Sequence, residues 1–148
     1  MEVFLAGIIQ GSLTQAAIHD QDWRTAIREA LRTHCAKANV YCHFEANPDS
    51  ITYDDDRMIA TLAEGNRRAA ASDVVVCWLP EASMGTAIEM YLAAQAGAVV
   101  LTISPMTTNW VIRACSDRIF PDVAAFEQFL AGGELEAMVA RKRAGRRR

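Results

Sequence analysis

The sequence predicts an α/β fold in which a five-stranded, mostly parallel sheet carries helices on both faces. Two observations predict it. Apolar, strand-like segments alternate with segments of helical periodicity along the chain, which is the pattern of parallel sheets built from strand–helix–strand units. The run DVVVCWL at 73–79 is apolar and largely β-branched, as in strands that helices cover on both faces. The 148 residues, 51% of them apolar, are enough for one domain with its own core.

The predicted strands are five short apolar runs bounded by glycine, proline or polar turn residues. In the second run, NVYCHFE, we expect His43 to be packed within the strand. Together the runs predict a doubly wound, three-layer sandwich of the flavodoxin or Rossmann type. They lie at 3–7, 39–45, 73–79, 98–104 and 118–120.

The predicted helices carry apolar residues at spacings of three and four. Trp23, Ile27 and Leu31 show this spacing in the first helix. Gly65 weakens the middle of the second helix, and Gly97 is the expected C-terminal cap of the third. We expect helices at 22–36, 57–72, 84–97 and 109–117, one after Pro121, and a last short helix before residue 140.

Composition disfavours several other classes of protein. No apolar run approaches the roughly 20 residues of a membrane span, and MEVFLAGIIQ at the N-terminus lacks the basic region of a signal peptide. The four cysteines lack C-x-x-C spacing, so we expect reduced, buried thiols in a cytoplasmic protein rather than a zinc site. The function argued below implies no metal or organic cofactor. ARKRAGRRR at the C-terminus carries six basic residues. We expect one domain at 1–139 and a disordered tail at 140–148 that attracts nucleic acid only weakly.

A candidate site follows from where the strands end. The loops after the first three strands, GIIQGS, FEANPDS and PEASMGT, meet at one edge of a parallel sheet, and ligands bind where the strand order reverses there. The helix after the third loop begins near Ser83, and Glu89 lies in its first two turns. We therefore expect Glu89 to face the crevice at this edge.

Two of these loops suit an anion such as phosphate. Free amides at a helix N-terminus attract negative charge, and Ser83, Gly85 and Thr86 flank that position. The turn after the first strand adds a second row of amides, with glycines that permit close approach. The alternative interpretation is two tight turns in which Ser83 and Thr86 are only helix caps. The candidate residues of the first turn are Gly7, Ile9, Gln10 and Gly11.

Glu89 has two interpretations at this level. A carboxylate in a crevice can attack the anomeric carbon of a sugar and form a covalent glycosyl intermediate. It can equally be an exposed carboxylate or the partner of a lysine or arginine. A Ser–His–Asp hydrolase is disfavoured, because the chain lacks a G-x-S-x-G nucleophile elbow.

Three motifs stand in a familiar order. A first strand ends in glycine (VFLAGIIQGS), an apolar strand follows an aspartate (SDVVVCWL), and S-x-G-x-x-x-E opens an alanine-rich helix (SMGTAIEMYLAAQAG). This pattern, over 3–104, resembles the nucleoside 2-deoxyribosyltransferase superfamily, which includes 2′-deoxynucleoside 5′-phosphate N-hydrolases and cytidine monophosphate N-hydrolases. The resemblance implies a nucleoside or nucleotide substrate, with Glu89 as the nucleophile.

The resemblance also implies roles for phosphate-binding positions. Ser83 matches a position where monophosphate hydrolases have a serine that donates to phosphate, whereas transferases of free nucleosides have an aspartate. Ile9, Gln10 and Gly11 match the turn that holds phosphate mainly with backbone amides, although Gln10 replaces a basic residue. Asn109 falls where a hydroxyl residue crosses a dimer interface into the neighbour's phosphate site.

One position departs from the superfamily pattern. Members commonly carry an aspartate about eight residues before the aspartate that opens the third strand, and counting back from Asp73 reaches Gly65. That aspartate is thought to position the sugar or to assist the leaving base. Glu64 could substitute after a shift of one residue, so it is the second candidate catalytic residue.

These features predict an N-glycosidase or deoxyribosyltransferase that acts on a nucleoside 5′-monophosphate or a nucleoside. Two alternatives stay open: a non-catalytic nucleotide-binding or sensing protein on the same fold, which Gly65 favours, and an NAD glycohydrolase. We also expect a homodimer or a higher homo-oligomer, because the helix at 84–97 has apolar residues on more than one face. Its expected partner is the helix at 109–115.

Overall fold

Five strands form one fully parallel sheet. They are β1 (Glu2–Gly7), β2 (Asn39–Cys42), β3 (Val74–Trp78), β4 (Val99–Ile103) and β5 (Arg118–Phe120). Their order is β2-β1-β3-β4-β5, and every neighbouring pair is parallel. The computed structural model describes residues 1–146. Because the strand order reverses between β1 and β3, the connecting helices cover both faces, so the predicted doubly wound fold is confirmed.

Seven helices lie within the described residues. Four of them begin at a side-chain cap, supplied by Asp54, Ser83, Asn109 and Asp122. No helix of residues 1–146 is both long enough and apolar enough to cross a bilayer. The helices are α1 (Trp23–His34), α2 (His43–Ala46), α3 (Asp55–Ala71), α4 (Met84–Gln95), α5 (Trp110–Cys115), α6 (Val123–Ala131) and α7 (Glu134–Arg146), with a 3-10 turn at Ser50–Thr52.

Alternate residues of the central strands pack on opposite faces of the sheet. On one face they meet α1, α6 and α7, and on the other they meet α3, α4 and α5. The continuous apolar run at 73–79 is therefore buried on both sides, as a strand in the middle of a parallel sheet requires. The first face includes Leu5, Val76, Leu101, Leu31 and Phe126; the second includes Phe4, Val75, Val100, Ala69 and Met90.

The second strand is shorter than predicted. β2 pairs with β1 only as far as Cys42, and the chain then turns into α2, so His43 does not lie in a strand. Asn47 closes this turn: its backbone N–H donates to the Phe44 carbonyl and its side-chain amide to the His43 carbonyl, both at 3.1 Å. An edge strand has a partner on one side only, so local hydrogen bonds replace sheet pairing here.

The C-terminal segment is helical where the sequence analysis expected a disordered tail. α7 runs to Arg146 and packs Leu135 and Val139 into the core. Two of the tail's basic residues form ion pairs: Lys142 with Asp117 at 2.9 Å and Arg143 with Asp73 at 2.6 Å. Disorder of the tail was predicted from its charge alone, because these acidic partners lie far away in the sequence. Residues 147 and 148 lie outside the described part of the chain.

Candidate functional site

A cleft of about 290 Å³ opens at the carboxyl edge of the sheet, beside the switch in strand order. The loop after β1, the segment after β2, α3 and the start of α4 form its walls. Eight of the ten predicted site residues line it: Gly7, Ile9, Gln10, Gly11, Ser83, Gly85, Thr86 and Glu89. A wider depression of about 520 Å³ lies at the opposite end of α4. Its carboxylate, Asp117, is already paired with Lys142.

Glu89 lies on the inward face of α4 and is only 9% exposed. Thr86, Glu89, Met90 and Ala93 form the buried face of this helix, which is the spacing of one helical stripe. No hydrogen-bond donor or cation within residues 1–146 contacts the carboxylate directly. Burial raises the pKa of Glu89 to about 7, and the nearby charge of Arg24 partly opposes this rise. Glu89 is therefore a desolvated, unpaired carboxylate rather than an exposed one.

The start of α4 combines a helix cap with free donors. The Ser83 hydroxyl oxygen accepts from the Thr86 backbone N–H at 3.5 Å and from the Thr86 hydroxyl at 3.1 Å. Because Ser83 is the acceptor in both contacts, its own hydroxyl proton is left to donate. The backbone N–H groups of Met84 and Gly85 have no acceptor in the described chain. Ser83 thus caps the helix, and the same helix end presents donors to the cleft.

The turn after β1 provides a second set of donors. Gly11 has a φ of 56°, and a Cβ there would lie 2.5 Å from Ile8 Cδ1, so this turn requires glycine. The backbone N–H groups of Ile9, Gln10 and Gly11 have no acceptor among residues 1–146. The Gln10 side chain instead donates to the Gln15 carbonyl at 3.3 Å. The turn therefore offers backbone dipoles to an anion and no side-chain charge.

Two side chains from the polar loop brace this turn. The Gln21 side-chain amide donates to the carbonyls of Ile8 at 3.1 Å and His19 at 2.8 Å. His19 Nε2 lies 2.9 Å from a carboxylate oxygen of Glu81, in the loop after β3. The loops after β1 and β3, which carry the two sets of free amides, are thereby connected to each other.

Gly7 is required by packing beneath the cleft as well as by its place in the wall. A Cβ at this position would lie 2.3 Å from the end of the Trp23 ring. That ring stacks on Trp78 with centroids 5.9 Å apart, so it has little room to move. A larger residue at position 7 would force the tryptophan pair apart.

One wall of the cleft is apolar, and the sequence analysis did not identify it. Ile18, Ile51, Met58 and Leu62 line this wall and are partly exposed, as expected of a surface that an apolar ligand group covers. Tyr53 lines it as well, with the Arg57 guanidinium 3.7 Å above its ring. Met58 and Leu62 are four residues apart on α3 and interrupt the polar residues of its exposed surface, which is the one sequence signal for this wall.

His43 also lines the cleft, although it was predicted to be packed in a strand. It begins α2, and its Nδ1 lies 3.4 Å from the Tyr41 hydroxyl. The ring rests against the bare backbone at Gly65, where a Cβ would lie 3.0 Å from His43 Cε1. Burial lowers the pKa of His43, as do the charges of Arg24 and Arg68, while Glu64 opposes them.

Two predicted site residues lie outside the cleft. Glu64 is on the outer side of α3, where Arg67 and Arg68 bind its carboxylate at 2.7 and 2.6 Å. These hydrogen bonds lower the pKa of Glu64. Asn109 caps α5 by accepting from the backbone N–H groups of Val111 and Ile112. It lines a separate hollow of about 170 Å³ that adjoins Ser83 and Met84.

The fold and the cleft define a doubly wound α/β protein with a cleft at the switch in strand order, where proteins of this architecture bind ligands. No family model and no curated protein matches the sequence. Within the described residues, no cluster of three or more His, Cys, Asp or Glu side chains could hold a metal ion.

Solved structures resemble the chain across most of its length. A 2-deoxyribosyltransferase from Bacillus psychrosaccharolyticus has a TM-score of 0.63 at 15% identity, covering 86% of this chain and 90% of that one. A conserved protein from Enterococcus faecalis V583 has a TM-score of 0.62 at 20% identity, covering 89% of this chain and 98% of that one. The CMP N-glycosidase BcmB from Clostridium botulinum has a TM-score of 0.51 at 17% identity, covering 88% of this chain and 97% of that one. The predicted resemblance to the nucleoside 2-deoxyribosyltransferase superfamily is thus confirmed in its fold.

Proposed function

We propose that the protein cleaves or transfers the N-glycosidic bond of a nucleoside 5′-monophosphate, with Glu89 as the nucleophile. The observation that carries this proposal is the buried, unpaired carboxylate of Glu89 in a cleft that also presents two sets of free backbone amides. Similar structures that include a 2-deoxyribosyltransferase and a CMP N-glycosidase support chemistry at a nucleoside's glycosidic bond. Glu64 has no part in the proposal, because its carboxylate is bound by arginines outside the cleft.

The proposed reaction has two steps. A Glu89 oxygen attacks the anomeric carbon, and the bond to the base nitrogen breaks with its electron pair leaving on the base. The resulting glycosyl ester is then attacked by water or by a second base. Burial suits this role, because a carboxylate without hydrogen-bond partners is poorly solvated and meets the positive charge that develops on the sugar in the transition state.

The phosphate is proposed to lie between the two sets of amides. The start of α4 contributes the N–H groups of Met84 and Gly85 and the Ser83 hydroxyl, and the turn after β1 contributes its own free N–H groups. Because this cleft would bind the dianion mainly through backbone dipoles, no charged side chain has to be buried and desolvated there. The apolar wall at Ile18, Ile51 and Met58 suits the flat face of a base.

A substrate panel tests the proposal. Nucleoside 5′-monophosphates in ribose and deoxyribose forms, the matching nucleosides and NAD are incubated with the protein, with and without an acceptor base, and free base is measured by chromatography. We expect base release from at least one monophosphate, faster than from its nucleoside. Monophosphate binding without base release would favour the sensing protein, and nicotinamide release from NAD alone would favour the glycohydrolase.

The rate of base release is expected to rise with pH and to level off above about pH 7. The pKa of Glu89 is raised to about 7, so the carboxyl is protonated below this pH and cannot attack. In kcat/KM measured from pH 5 to 9, the acid limb should fall about tenfold per pH unit. A profile that is flat between pH 5 and 8 would contradict a nucleophilic role for Glu89.

A homodimer is proposed to form through α4 and α5. Met84, Ile88 and Tyr91 form an exposed stripe on α4, and Trp110, at the start of α5, is 86% exposed. Exposed apolar side chains on two contacting helices are typical of an interface. A dimer through this face would also bring Asn109 of each protomer close to the interface, beside the hollow next to Ser83.

Sedimentation at tens of micromolar tests the dimer. The wild type should sediment as a dimer or a larger oligomer, and Trp110→Lys should shift it towards the monomer. Ile59→Lys is the matched control, because Ile59 is 60% exposed on α3 and lies on neither of the two proposed interface helices. A monomeric wild type would exclude both the interface and a shared role for Asn109.

A further inference from the structure

The space beside Gly65 holds the imidazole of His43. A Cβ at position 65 would lie 3.0 Å from His43 Cε1 and 3.1 Å from Nδ1. Atoms at these distances are closer than ordinary van der Waals contact, so a side chain at position 65 would require the imidazole to shift by a few tenths of an ångström. A glycine in the interior of α3 costs helix stability. Here it admits a titratable ring to the wall of the cleft.

The imidazole is oriented by its neighbours and leaves one nitrogen free. Nδ1 lies 3.4 Å from the Tyr41 hydroxyl, and the ring is nearly parallel to that of Phe4, with an interplanar angle of 27°. His43 Nε2 has no hydrogen-bond partner within residues 1–146. When Nδ1 donates its proton to the Tyr41 oxygen, Nε2 carries the lone pair and can accept a proton.

We propose that His43 is the general base that activates water against the glycosyl–Glu89 ester, an inference that rests on the proposed function. Once Glu89 is esterified, it cannot also accept a proton. Among the described residues that line the cleft, His43 and Glu89 are the only two of types that exchange protons near neutral pH. His43 is thus the group left to accept the proton of the attacking water.

The step is balanced in atoms and charge. The water oxygen bonds to the anomeric carbon while the bond from that carbon to the Glu89 oxygen breaks, and its electron pair returns to the carboxylate. The water proton passes to His43 Nε2, which gives an imidazolium and a free sugar phosphate. Solvent then removes the proton from the imidazolium and restores the resting enzyme.

The charges around His43 favour the neutral form that this step needs. Burial lowers its pKa, and the cations Arg24 on α1 and Arg68 on α3 lower it further. Glu64 on α3 opposes these effects, and the Tyr41 hydroxyl on β2 faces Nδ1. Because the two cations and burial outweigh Glu64, the imidazole stays unprotonated at lower pH than a free histidine would.

The test separates the two steps of the reaction in His43→Gln. Glutamine keeps a polar side chain but cannot accept the proton. With a monophosphate that the wild type cleaves, quench-flow should show a burst of about one base per active site, followed by turnover slowed about 100-fold or more. Intact mass should show a glycosyl phosphate adduct on the variant. Azide, a nucleophile with no proton to lose, should restore much of the turnover.

Two further variants complete the experiment. His34→Gln is the matched control, because His34 lies on α1, outside the cleft, close to Glu127, and it should behave as the wild type. Gly65→Ala keeps the histidine but requires its ring to shift by a few tenths of an ångström, so it should also accumulate the adduct, to a smaller extent than His43→Gln. The melting temperature of Gly65→Ala is measured as well, to check that the variant is folded.

The outcomes distinguish the two proposals. Turnover of His43→Gln at the wild-type rate, or slow release without burst, adduct or azide rescue, would overturn the role of His43 and leave that of Glu89 intact. Absence of base release by the wild type from every substrate would overturn the proposed function and this inference with it.

Discussion

Glu89→Gln is expected to lower base release by at least three orders of magnitude, while nucleotide binding is retained. The amide is a poor nucleophile, and it cannot place a negative charge beside the oxocarbenium-like sugar. Binding should survive, because the proposed phosphate donors lie at the start of α4 and in the turn after β1. A 2-fluorinated substrate should leave a covalent adduct on the wild type, visible by intact mass, and none on the variant.

Glu89→Asp is the matched control. It keeps the charge but shortens the reach by one methylene, so activity should fall strongly and keep a pH dependence. If Glu89→Gln turned over like the wild type, Glu89 would be no more than a buried carboxyl group of α4.

Stability gives an independent readout for Glu89→Gln. The pKa of Glu89 is raised from 4.5 to about 7 in the folded protein, so between these pH values the folded state holds a proton that the unfolded state has lost. The wild type therefore loses about 3 kcal/mol of unfolding free energy as the pH rises from 4.5 to 7. Glutamine does not titrate, so Glu89→Gln does not lose this unfolding free energy. The variant should therefore melt above the wild type at pH 8 and close to it at pH 5.

Ser83→Asp is expected to weaken binding of a 5′-monophosphate while sparing the free nucleoside. The new carboxylate would face a phosphate with nearly two negative charges, and like charges at close range cost about 1 to 4 kcal/mol. Affinity should thus fall between about fivefold and nearly a thousandfold. The fold should be unaffected, because aspartate is as good a helix cap as serine. Calorimetric titration with both ligands measures the difference.

Ser83→Asn separates charge from size. Asparagine has the shape of aspartate without the charge and also caps helices well, so it should keep most of the monophosphate affinity. Equal monophosphate affinity in the wild type and in Ser83→Asp would remove Ser83 from the phosphate site.

The sequence by itself determined the sheet and most of the cleft. Continuous apolar runs such as 73–79 can be buried only between two layers of helices, so they predicted the parallel sheet and the edge at which its loops meet. The position of Glu89 follows from local rules as well. A helix that begins at Ser83 and buries Met90 and Ala93 against the sheet places Glu89 on the same inward face.

Only the tertiary structure decided what surrounds that carboxylate. The arginines that bind Glu64 are its neighbours on α3, but the position of Glu64 outside the cleft depends on which side of α3 packs against the rest of the fold. His43 reaches the cleft because β2 ends at the sheet edge and because Gly65, more than twenty residues away in the chain, leaves room for its ring.

The C-terminal segment is a second case in which the sequence did not reveal contacts between distant residues. Its basic composition predicted disorder, yet α7 extends to Arg146, with Lys142 and Arg143 bound to Asp117 and Asp73. Periodicity and local propensity report on neighbours along the chain. Contacts between residues far apart in sequence depend on where the packed sheet brings them. These contacts determined the wall of the cleft that contains His43 and the end of the last helix.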